Sequence, residues 1–142
     1  MSALFHLAFP VHDLAAAKQF YVDGLGCVLG RESSTAVTLG FAGHQLVAHL
    51  SQDKPYRQKG IYPSHFGLVL TTEEEWQALV DRAQAKHLTF YQQPRRRFPG
   101  TRIEHRTFFL ADPSGNLLEF KYYEQESAIF GERDFSTIGD SE

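Results

Sequence analysis

Three side chains in this sequence, His6, His65 and Glu119, are of the types that together bind a divalent metal. Two imidazoles and one carboxylate occupy one face of a coordination shell and leave the other positions to water, substrate or dioxygen. An internal repeat relates them. His6-Leu7-Ala8-Phe9 aligns with His65-Phe66-Gly67-Leu68, and the stretch 43–49 aligns with 115–121, which makes Val47 and Glu119 equivalent. Side chains alternate faces along a strand. That alternation groups His6 with Leu4 and Ala8, His65 with Gly67 and Val69, and Glu119 with Leu117 and Lys121. The bulkier series (Phe5, Leu7, Phe9; Phe66, Leu68, Leu70; Leu118, Phe120, Tyr122) is expected to face the helices, and the three polar residues a cleft, where Ala8 and Gly67 leave room. Val47 cannot ligate, so the site stays open, which favours catalysis over a structural metal. His49, on the face of Val47, is the candidate for proton transfer, for a hydrogen bond behind the ligands, or for a further ligand; His44 ranks after it. A single strand histidine is ordinarily just half-buried, so the equivalence of the two positions and the parity of Glu119 carry the metal reading.

The elements that must place these residues follow from periodicity. A strand is expected over 4–9, a helix from about Asp13 to Asp23 stopped by Gly24 and Gly26, then strands near 27–32, 35–41 and 44–50. After a polar connection, 53–63, the order repeats: a strand over 65–70, a helix opened by a Thr72/Glu75 capping box and running to about Lys86, and strands near 88–92, 105–111 and 117–123. The last two are joined by Asp112-Pro113-Ser114-Gly115-Asn116, a turn by composition. The expected fold is α+β. Two βαβββ modules, about 1–52 and 64–124, form a cupped, mixed, mostly antiparallel sheet with helices outside, in a single domain over 1–124. Residues 125–142 are expected to be an appended acidic tail.

Charge points to one further feature. The overall balance is −3, but residues 124–142 hold six acids against Arg133, so the tail carries −5 and the remainder +2. Arg95, Arg96, Arg97, Arg102 and Arg106 crowd around Glu104. They are read either as a solvated loop over 93–104 or as forked donors for a small anion, with Arg96, Arg97 and Arg102 able to meet a carboxylate, phosphate or phenolate if that loop covers the cleft. Phe98-Pro99-Gly100 would be its apolar tip. Lys121, on the face of Glu119, is either a partner for that carboxylate or an anion, or a rim lysine. Tyr56, Tyr62, Tyr91, Tyr122 and Tyr123 read as anchors with the hydroxyl in water. Cys27 reads as a small buried apolar residue.

The 142 residues, 42% hydrophobic and 22% charged, lie in the globular range. A single cysteine excludes an internal disulfide, and no signal-peptide pattern is seen at the start, so a cytoplasmic setting is expected. Apolar runs fall far short of the ~20 residues that cross a bilayer. Nucleic-acid binding is disfavoured by the slightly acidic balance and the lack of a stacking platform. Phosphate-loop, CxxC and serine-nucleophile motifs are absent.

Residues 4–123, about 120 of 142, resemble the vicinal oxygen chelate superfamily, which includes glyoxalase I, the fosfomycin and bleomycin resistance proteins and the extradiol dioxygenases. The carriers are the histidine-bearing first strand followed by AAAKQFYVDGLG, the strand SHFGLVL, and FFLADPSGNLLEF, whose turn runs into a strand with the acid third. The resemblance implies metal-ligand roles for His6, His65 and Glu119. Val47 departs from the glyoxalase I pattern, which has a fourth protein ligand there, and so looks like the three-ligand members. It implies a divalent metal, Fe2+ favoured over Mn2+, Zn2+ or Ni2+, and a dioxygenase-like enzyme acting on a small oxygen-rich molecule of anionic or aromatic character. A glyoxalase-like lyase or isomerase, a thiol transferase, and a non-enzymatic drug- or metabolite-binding protein are the alternatives. A homodimer is expected, with the modules pairing within one chain or across two; in the crossed arrangement His6 comes from one subunit and His65 and Glu119 from the other.

Overall fold

The computed structural model describes residues 1–53 and 58–139. Two four-stranded sheets repeat one topology. In the first, β1 (His6–Val11) runs parallel to β4 (His44–Leu50), followed by β3 (Ala36–Phe41) and β2 (Val28–Glu32), both antiparallel to their neighbours. In the second, β5 (Phe66–Val69) runs parallel to β8 (Leu117–Tyr123), followed by β7 (His105–Ala111) and β6 (Thr89–Arg97). The repeat expected from the two histidine strands is the architecture of the molecule, an α+β fold of two modules.

Each helix begins where a side chain satisfies an otherwise orphaned N–H. Asp13 accepts from the Ala16 amide at 3.0 Å to open α1 (Leu14–Lys18), and Thr72 accepts from the Glu75 amide at 3.1 Å to open α2 (Glu73–Ala85). The single helix expected over 13–23 is instead a short α-helix continued by a π-helical stretch, Gln19–Gly24. Arg82 of α2 donates to the carbonyls of Gly24 (2.6 Å) and Asp23 (3.0 Å), satisfying its C-terminal end.

Both helices and one face of each sheet build a single core. Phe9, Val11, Leu39, Phe41, Leu46 and Ala48 of the first sheet, Phe108, Leu110, Leu118 and Phe120 of the second, Phe20 and Tyr21, and Trp76 and Val80 of α2 are all buried in it. Phe9 meets Phe66 with ring centres 5.2 Å apart, Phe41 meets Phe120 at 6.2 Å, and the Trp76 indole donates to the Phe120 carbonyl at 3.0 Å. The bulky parity series therefore joins this core, except for Phe5, which precedes β1 and is exposed.

The Asp112–Asn116 turn staples the modules together. Asp112 accepts from the Ser114 and Asn116 amides, from the Asn116 side chain, and from the Tyr21 hydroxyl at 2.8 Å. The Asn116 amide group also donates to the Pro10 carbonyl, and the Ser114 hydroxyl accepts from the His12 amide. Burial first, and then the Asp112 carboxylate, hold the Tyr21 phenol well above its usual pKa.

Three expectations need correction. β1 starts two residues late and runs through Pro10, and β6 runs through Pro94 to Arg97 rather than ending near 92. Both are edge strands, where a missing N–H costs no ladder bond; the register shift between Gln92 and Arg95 absorbs Pro94. Arg95, Arg96 and Arg97 thus stand on a strand, and the loop that follows covers only 98–104. The tail, finally, returns to the body through α3 (Ser127–Phe130) and contacts of Glu132 and Gly139. Cys27 is buried, its thiol pushed up to about 12 by that burial. Of the tyrosines, Tyr56 lies outside the described residues. Among those described, no helix is long and apolar enough to cross a membrane.

Replacing Tyr21 with Phe deletes the hydroxyl that joins the first module to Asp112. Urea unfolding of Y21F is expected to show a loss of about 1 kcal/mol with an unchanged m value, because one buried hydrogen bond to a charged group disappears without a cavity.

Candidate metal centre

Leu118 and Phe120 point into the core, so Glu119 between them points away from it, to the other face of the second sheet. The hairpin register places the rest of that face. Phe109 lies opposite Glu119, Thr107 opposite Lys121 and His105 opposite Tyr123, with Gly67 of β5 on the other side of Glu119. Phe109, Thr107, His105 and Glu119 are buried although Phe109 is no part of the main core.

On this face His65 and Glu119 come together. The imidazole Nε2 is 3.1 Å from Glu119 Oε1, the Thr107 hydroxyl donates to Oε2 at 2.6 Å, and the Lys121 ammonium is 3.5 Å from Oε1. The Ile61 carbonyl lies 2.6 Å from His65 Nδ1; a carbonyl can only accept, so Nδ1 carries a proton and Nε2 is the nitrogen turned to Glu119. Phe109 packs edge-on against the imidazole at 5.1 Å, and Tyr62 at 6.1 Å. β5 lies so close to β8 that a Cβ built at Gly67 falls on the Glu119 carbonyl. Only glycine lets the two strands approach this way.

Bonding to Glu119 raises the His65 pKa, with burial opposing. For Glu119 burial is the largest single influence and pushes upward, yet hydrogen bonds from His65 and Thr107, with the nearby Lys121 charge, bring the net value below the usual carboxylate range. Each group thus favours the charged form of the other.

His6 is elsewhere. It is exposed on the first sheet, its Nδ1 2.7 Å from the Gln45 side-chain oxygen, and belongs to the alternation that points away from the core. Register places Val47 beside Ala8 and exposed His49 beside Pro10 on that same side. Exposed His44 accepts the Phe5 amide at 3.0 Å. Among the described residues, no group of three or more His, Cys, Asp or Glu side chains is arranged to hold a metal within one chain. The donors nevertheless suit one in part: His65 is oriented by a carbonyl on its far nitrogen and Glu119 by a hydroxyl, the bracing that ligating imidazoles and carboxylates receive.

The arginines divide. Arg97, opposite His105, shares the parity of the Glu119 face, whereas Arg96, opposite Arg106, has the other parity and pairs with Glu104 at 3.3 Å. Arg106 is bound to Glu73 and lies near Glu124. Arg102 sits in the 98–104 loop, forked onto Glu132. Thr107, His105 and Ile61 were not singled out from the sequence. The first two were within reach, because the Asp112–Asn116 turn fixes the pairing of β7 with β8 and so assigns every residue opposite Glu119 and Lys121; Ile61, in an irregular segment, left no periodic signal.

Residues 3–120 match the family model described as the Glyoxalase/Bleomycin resistance protein/Dioxygenase superfamily. The chain belongs to this superfamily. A glyoxalase/bleomycin resistance protein/dioxygenase from Alicyclobacillus acidocaldarius is 44% identical, with a TM-score of 0.85 over 90% of this chain and 96% of that one. The superfamily fold is shared more distantly with the genomically encoded fosfomycin resistance protein FosX of Listeria monocytogenes (19% identity, TM-score 0.67, 90% and 98% covered). It is shared also with a virulence protein of Salmonella typhimurium (22%, 0.60, 87% and 98%). A comparison with curated proteins finds no match.

Two outcomes are expected for the metal-free protein. Glu119, lowered on folding, contributes stability present above its ordinary value of 4.5 and lost as pH falls through the lowered one. His65, raised on folding, contributes stability present below 6.5 and lost as pH rises through the raised value. The contribution of the pair is therefore largest between these two ordinary values and falls away on either side, so thermal melts of His65→Gln should show the largest deficit against the parent between pH 4.5 and 6.5 and a smaller one outside that range. Gly67→Ala should lose about 1–3 kcal/mol by chemical denaturation as β5 is forced off β8; a variant as stable as the parent would contradict the close approach.

Proposed function

We propose that this protein is a divalent-metal-dependent enzyme of the vicinal oxygen chelate type, with His65 and Glu119 of one copy and His6 of a second copy as the metal ligands. The observation that carries this is the braced His65–Glu119 pair on one outward face while His6 stands on another, with β1, which His6 opens, and β5, which His65 immediately precedes, at the open edge of their sheets. Among the described residues β1 pairs with β4 alone and β5 with β8 alone. A cavity of about 280 Å³, lined by Phe5, Leu7, Leu46, Phe66 and Leu68 among others, lies between those edges. Phe5 and Val69 beside it are exposed. Unpaired edges flanked by apolar side chains favour association with another chain, and pairing β1 of one copy beside β5 of the next would bring His6 toward the Glu119 face.

A metal held by two imidazoles and one carboxylate would supply Lewis-acid stabilisation of negative charge on two neighbouring substrate oxygens, with positions left for a second reactant. That donor set supports Fe2+ and dioxygenase-like chemistry as the leading reading. The chain's own residues would do the rest. Thr107 and the Ile61 carbonyl hold the ligands in place, Phe109 and Tyr62 exclude water from one side of His65, and Lys121 offers its charge to an anionic or aromatic oxygen-rich substrate. Arg97 and Arg102 would recognise an anionic group at the rim. Arg96 faces away from Arg97 along the strand and would act only through Glu104. His49, on the face of His6, would reach the substrate from the second copy as a proton carrier. Oxygen consumption in a substrate panel separates this reading from lyase, isomerase or thiol-transfer chemistry.

Mixed oligomers test the shared site without knowledge of the substrate. His6→Ala and Glu119→Ala chains, each alone, are expected to bind no divalent metal tightly. Unfolded together and refolded, they should regain about one metal per mixed dimer, since one of its two sites is then built from intact residues. Recovery of none, with both variants folded and dimeric, would overturn the shared site.

A further inference from the structure

We propose that residues 127–139 form a strap that lies over the face carrying His65 and Glu119 and is latched by Glu132 on Arg102. The proposal rests on reading that face as the working site. After β8 the chain turns back through α3, and Glu132 follows with a φ of 58°, a left-handed conformation that a non-glycine residue adopts at an energetic cost. That conformation accompanies a concentrated set of contacts. The Arg102 guanidinium forks onto both Glu132 oxygens at 2.7 and 2.9 Å, and the Ser127 hydroxyl donates to one of them at 2.5 Å. Arg102 and Ser127 hold the Glu132 carboxyl far down, to about 2. At the other end of the segment, the Gly139 carbonyl accepts from Arg97 at 2.9 Å, and Gly139 packs against the hydroxyl end of the Tyr62 ring. Tyr62 in turn lies edge-on to His65. The segment thus runs from the 98–104 loop to the aromatic wall of His65, across the face that carries Glu119.

The side-chain contacts at the two ends of the strap are polar, and Phe130, one of its large apolar side chains, is 98% exposed. Its contacts also occupy Arg97 and Arg102, the guanidinium groups best suited to an anion. Glu132 is a carboxylate already seated in one of them, so an anionic ligand that uses Arg102 must displace it. The acidic tail and the arginine cluster, read separately from the sequence, become two halves of one closure.

Accessibility of His65 tests this in the metal-free full-length protein, read as the rate of imidazole acylation by diethyl pyrocarbonate in peptide mass spectra. Glu132→Gln and, separately, Arg102→Gln should raise that rate about two- to fivefold, the range implied by an exposed ion pair. About 0.5 M sodium chloride should raise it in the parent but not in either variant. Equal rates in all three proteins, or a parent rate indifferent to salt, would overturn the strap. Manganese added to the parent keeps the two readings apart. Failure to protect His65 while the latch variants still react faster leaves the strap standing and removes the metal site; protection with no effect of the variants does the reverse.

Discussion

A strand has two faces, and here one face of each inner strand is committed to a single core shared by both sheets and both helices. Everything else about the site follows from that commitment. The residues between Leu118 and Phe120, and between Leu7 and Phe9, have to point outward. Polar side chains that would be costly inside the core stand instead on faces where loops, a ligand or another chain can satisfy them. Glu119 shows the outcome: it is buried, but beside Thr107 and His65 rather than in the core, and each of its oxygens has a partner.

The architecture was legible because it repeats. Two histidine strands, two capped helices and a Pro-Gly turn recur in one order, and strand alternation predicted which side chains enter the core. Position within a sheet was harder to read. Pro10 and Pro94 look like strand ends in the sequence, yet both sit inside strands because those strands lie at sheet edges, a fact of tertiary topology. The site was half legible for a related reason. Parity tells which face a residue takes, and Glu119 and His65 meet as expected, but parity is silent on how two sheets pack. That packing decides that His6 keeps Gln45 for company in the single chain. The tail carried no periodic signal at all, since its contacts are made by Glu132 and a backbone carbonyl.

The His65–Glu119 pair has the character of a site at rest. The imidazole is oriented by a carbonyl, the carboxylate by a hydroxyl, and a lysine stands close by. The carboxylate raises the proton affinity of the imidazole, so binding of a metal there would be coupled to pH. The proposed strap would add a second level of control over the same face, through the ion pair of Arg102 and Glu132.

The central claim is that His65, Glu119 and a His6 from another copy meet around one cation. A crystal structure of manganese-soaked protein, with the metal located by its anomalous scattering, tests it most directly. The account predicts a peak within ligand distance of His65 Nε2 and Glu119 Oε1, with an imidazole of a neighbouring subunit's first strand as the third protein donor. A peak elsewhere, or one bound by His65 and Glu119 alone while both copies of His6 remain on Gln45, would contradict it.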